Sequence, residues 1–104
     1  MVDTKQQVLD IAMNLTRIGN WAADGYEAKN KRISMFLEQT NTSIQEVRQM
    51  KVTGRFKPTF DTFCPVFQKL YRQASPTPPD TDAWAETMMT WGNILTHRAS
   101  LLER

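Results

Sequence analysis

The chain has one cysteine, Cys64, and one histidine, His97. A thiolate activated by an imidazole is the simplest nucleophilic chemistry that pair could perform. Their surroundings argue against it. Cys64 falls among Phe60, Phe63 and Phe67, where an apolar setting disfavours the thiolate, and His97 projects away from the apolar side of its segment. The expected roles are a core thiol and a surface imidazole. Asp80, Asp82 and Glu86 form the densest acidic cluster, and carboxylates four residues apart could share a hard cation. The same residues stand where a helix begins and where its dipole favours negative charge, so capping is the expected role. There are no Glu-x-x-His pairs, Gly-rich phosphate loops, nucleophile elbows or zinc patterns. The expectation is no catalytic residue, no metal, no cofactor and no enzyme.

A lone histidine in a small helical chain also raises phosphotransfer. Histidine phosphotransfer domains resemble this chain in size and class, but their acceptor lies mid-bundle, with a lysine three and a glycine four residues later. Here those places hold Ser100 and Leu101, so the motif fails. More informative are residues that break the apolar pattern. Trp21 lies opposite the apolar stripe of its helix, and Arg98 interrupts the stripe of the last helix between Leu95 and Leu102. Trp21 either meets another part of a wide core or anchors a partner, since aromatics are enriched in interface centres. Arg98 either snorkels to water or pairs across an interface with a carboxylate such as Asp10 or Asp24. Met35, Met50 and Met89 sit at or beyond stripe edges and suit adaptable contacts. These five residues are the candidate interface.

Net charge is +2, unevenly spread. Residues 29–72 hold nine basic and three acidic side chains, hence +6, between two segments with two basic and four acidic residues each, hence −2. Acidic outer helices lying beside basic inner ones would explain this. So would an anionic partner contacting Lys29, Lys31, Arg32, Arg48, Lys51, Arg55 and Lys57. In that second case Phe56 or Phe60 could stack on an unpaired base. The basic residues are dispersed around the helix, and the pI of 8.9 falls just under the usual footprint of nucleic-acid binders.

The elements that must position these residues read as helices throughout. Val8, Ile11, Ala12, Leu15, Ile18, Gly19 and Ala22 form one stripe of helical period, with Asp3 or Thr4 as cap. Ile33, Phe36, Leu37, Thr40, Ile44 and Val47 form a second. Gly25 is a natural C-cap, which predicts a turn there and a second helix from about Tyr26 to Lys51. Yet the apolar phase continues straight through Gly25, so one helix of nearly fifty residues paired with another chain is the alternative. A break at Asn41–Ser43 is also allowed, because Ser43 and Glu46 have capping-box spacing. A loop around Gly54 precedes a third helix over about Thr59–Ala74, which either kinks at Pro65 or begins there. The stretch Ser75–Pro79 is a linker, and Thr81 or Asp82 caps a last helix striped by Trp84, Met88, Trp91, Leu95 and Leu102.

The fold class is therefore all-α: one domain over 1–104, an antiparallel bundle of about four helices, with a very long first helix and a dimer as the variant. The single cysteine favours a reducing, cytoplasmic setting, and no apolar run approaches a membrane span. The expected function is a non-enzymatic protein-interaction module, an adaptor or regulatory subunit that includes itself among its partners as a homodimer. The alternative is a nucleic-acid-binding regulator using the basic segment 29–72.

Overall fold

Four amphipathic segments, each with one apolar face, are covered most economically by facing one another. A computed structural model describes residues 3–75 and 77–102, 85% of them helical. The elements are α1 (Thr4–Gly25), α2 (Asn30–Gln49), a 3-10 turn (Gly54–Phe56), α3 (Lys57–Gln73), α4 (Thr81–Arg98) and a closing 3-10 turn (Ala99–Leu102). Each helix runs antiparallel to the next. Gln7 of α1 meets Glu46 of α2 at one end, while Trp21 meets Phe36 at the other. Tyr71 of α3 meets Glu38 of α2. Phe63 lies against Trp91 of α4, and Arg98 against Thr59. No described helix is long and apolar enough to cross a membrane.

The chain takes the hairpin rather than the long rod. α1 ends at Gly25, and residues 26–29 turn before α2 begins. Tyr26 keeps the apolar phase because it too is buried, but its partners belong to other helices. Its ring lies edge-on to Trp84 at 5.5 Å, and its hydroxyl donates to the Ala74 carbonyl at 3.2 Å. Thus the continuous stripe is covered within one chain. α2 starts at Asn30, four residues later than the sequence suggests, and passes unbroken through Asn41–Ser43. The capping box does not form; Glu46 instead accepts from Gln7 Nε2 at 2.6 Å.

α1 and α4 pack most closely, because small residues line their crossing. A side chain at Gly19 would strike Met89 and the Ala85 carbonyl, and one at Gly92 would strike Thr16 and the Ala12 carbonyl. α3 stands further off, and it and the 3-10 turn before it fill the gap with rings: Phe56, Phe63 and Phe67 are fully buried, and Phe60 nearly so. Carbonyls at the C-terminal end of α3 also accept from side chains of other elements. Trp84 Nε1 donates to Leu70 O at 2.9 Å and Tyr26 to Ala74 O. α3 begins at Lys57 with Pro58 in its first turn, and Pro65 lies inside it with its ring exposed. Neither expected residue caps α4. Asp80 does, its carboxylate accepting from Ala83 N at 3.1 Å. Thr40, in the apolar stripe of α2, is buried without cost because its hydroxyl donates to Phe36 O at 2.6 Å.

Candidate interaction groove

Residues four apart in a helix share a face, and on α2 that rule brings Arg32 beside Phe36 and Lys31 beside Met35. The hairpin then sets this face next to the last turns of α1. The result is an open groove of about 660 Å³ at the turn end of α1 and α2. Trp21 and Phe36 form its floor, with ring centroids 5.0 Å apart and planes at 84°. Both rings are half-buried. Met35 flanks them, 53% exposed. Ala28 contributes at the turn.

Its rim is cationic. The Arg32 guanidinium lies over the Trp21 ring, 5.2 Å from its centroid, a geometry worth about 0.5–1 kcal/mol at an exposed site. Lys29 bridges to Asp24 at 2.7 Å across the turn. That hydrogen bond and the lysine's charge hold the Asp24 carboxyl below its usual pKa. Lys31 and Arg32 make no ion pair with any described residue. The lining contains no carboxylate, imidazole, hydroxyl or thiol. The groove can bury apolar side chains and offer positive charge.

The other residues expected to function lie elsewhere. Of the five interface candidates, only Trp21 and Met35 come together. Met50 is exposed, at the far end of α2, where its sulfur accepts from Thr4 Oγ1 at 3.3 Å. Met89 is half-buried at the α1–α4 crossing against Gly19, so it is a packing residue. Arg98 has neither Asp10 nor Asp24 as partner: its guanidinium reaches Thr59 Oγ1 at 2.9 Å, while Asp10 accepts from Gln6 and Asp24 from Lys29. It snorkels past the core edge, as its long stem allows.

The seven basic candidates divide between the two ends of α2. Lys29, Lys31 and Arg32 belong to the groove. Arg48, Lys51 and Lys57 surround a second depression that holds Cys64, with Arg55 on the neighbouring 3-10 turn. There Lys57 is already paired with Asp61 at 2.6 Å. Phe56 and Phe60 are buried in the core, so neither can stack on a base. Cys64 is half-buried, and burial pushes its thiol pKa up although Arg48 pulls it down. His97 is exposed and outside that depression.

Sequence reasoning assigned Phe36 to the apolar stripe of α2 and missed that, half-buried against the core, it also lines the groove. A signal was present: Phe36 and Leu37 are neighbours, and adjacent residues point about 100° apart around a helix. In a narrow stripe only one of two such large side chains points at the centre of the core. Leu37 is buried and Phe36 turns out to Trp21. Compared with family models, curated proteins and solved structures, the chain matches none.

Proposed function

We propose that the protein is a non-enzymatic interaction module, an adaptor or regulatory subunit, whose partner protein docks in the groove formed by Trp21, Met35 and Phe36. The observation that carries this reading is the juxtaposition of an exposed methionine and two half-buried rings beneath unpaired cations. Tryptophan and arginine dominate binding energy where interfaces have been dissected, and methionine adapts to varied shapes. A reducing, cytoplasmic setting, suggested by the single cysteine, belongs to the same proposal.

The expected homodimer loses its motives. The stripe through Gly25 is covered within the chain, Trp21 packs on Phe36, and Arg98 reaches Thr59. A two-fold contact through this groove would bring two copies of the same cationic rim, Lys31 and Arg32, into one interface. The partner proposed is therefore a different protein. The nucleic-acid alternative is weakened by division of the basic residues between two ends, which leaves no single stripe along a phosphate backbone.

Affinity capture from the native host tests this, using wild type, Met35→Asp, and Met50→Asp as a control. The two methionines are both exposed and roughly 22 Å apart along α2 at 1.5 Å per residue. A partner retained by wild type and Met50→Asp but lost with Met35→Asp is the expected result. Equal capture by all three contradicts the reading.

A further inference from the structure

We infer that the segment received by this groove is an acidic amphipathic helix, an inference that rests on the docking reading above. A partner that covers Phe36 and Met35 also displaces part of the water around Lys31 and Arg32 on the rim. Burying an unpaired cation is costly. Neither residue has an ion-pair partner among the described residues, so the compensating charge is assigned to the partner. Arg32 suits this: it lies over the Trp21 ring without an ion pair among the described residues, and a guanidinium offers carboxylates a two-point contact.

Shape decides for a helix. The described residues include no strand, so a peptide cannot be received by adding to a sheet edge. Among the other recurring modes, a helix laid in a groove between helices suits an apolar floor that runs along α2 beneath a cationic rim. From Lys31 to Phe36 the groove follows α2 for about 7.5 Å at 1.5 Å per residue, roughly one and a half turns of helix. That length takes two apolar anchors three or four residues apart on the ligand. A second copy of this chain does not supply the ligand. Its own acidic helix start, Asp80–Glu86, already buries the apolar residues Trp84 and Ala85 in its bundle.

The test is selection from a display library of random 16-residue peptides, on wild type with counter-selection on Met35→Asp, then on the double variant Lys31→Glu, Arg32→Glu. All three positions are exposed, and circular dichroism checks that the variants keep wild-type helix; Met35→Gln replaces Met35→Asp if it does not. The expected peptides carry two apolar residues three or four apart, flanked by Asp and Glu. They bind wild type at least about tenfold tighter than the Met35 variant, and the charge-reversed protein selects Lys and Arg in their place. Met35-dependent peptides with no acidic excess overturn the acidic helix and leave the docking groove standing. No Met35-dependent peptide at all overturns both.

Discussion

Gly19, Gly25 and Gly92 lie in two helices but answer to different neighbours. A methyl group at Gly19 would come within 2.9 Å of the Ala85 carbonyl oxygen, and one at Gly92 within 3.1 Å of that of Ala12. Backbone cannot step aside cheaply, so Gly19→Ala and Gly92→Ala should each destabilise by about 1–3 kcal/mol in urea unfolding, the usual range for overpacking. Gly25 has ordinary contact distance and no left-handed backbone, so Gly25→Ala should be neutral or stabilise by up to ~1 kcal/mol. The sequence marks Gly25 as a left-handed cap, and the structure moves that conformation to Lys51, with φ at 57°. Nothing in a lysine announces this; it follows from how α2 must end to reach Gly54. Lys51→Gly should therefore stabilise by roughly 1 kcal/mol. Cys64 was legible, because a thiol among phenylalanines is expected to be sheltered. With its pKa raised by burial, less thiolate is present at pH 8 than in a free peptide, and iodoacetamide should alkylate it measurably more slowly. Alkylation at the free-thiol rate would contradict the packing of α3.

Helix ends separate by whether a side chain closes them. Asp80 accepts a hydrogen bond from Ala83 N, whereas Asp3, in the same position before α1, makes no capping bond. Asp80→Ala should cost about 1 kcal/mol and Asp3→Ala only a few tenths. Equal losses would show that the difference between the caps is not real in solution. All four helices were readable from their 3.6-residue stripes, because each has a buried face. Their boundaries were less so, since local signals compete with partners distant in sequence. Tyr26 is in phase with α1 and α2 but is claimed by Trp84 and Ala74. Ser43 and Glu46 have the spacing of a cap, but Glu46 is claimed by Gln7. The groove was half legible for the same reason. Trp21 and Met35 stand out as breaks in pattern, while the route by which the hairpin brings them together is a tertiary fact.

At the scale of the whole molecule, the bundle measures 41 × 22 × 19 Å, with unpaired positive charge at the turn end of its first hairpin. Far-ultraviolet circular dichroism should report more than about three quarters helix, far above the roughly one third of average domains. The lopsided charge of the sequence is expressed as two basic ends, neither of which forms a continuous track. If the groove is the docking site, partner affinity should fall with rising salt, because two cations meet carboxylates near the surface. The most direct test is a proton–nitrogen correlation spectrum of the labelled protein, titrated with the partner captured by wild type. Amide shifts should concentrate on Trp21 and on residues 28–36, with residues 48–64 unmoved. Shifts centred on Arg48, Lys51 and Lys57, with Trp21 and Met35 still, would contradict the docking groove.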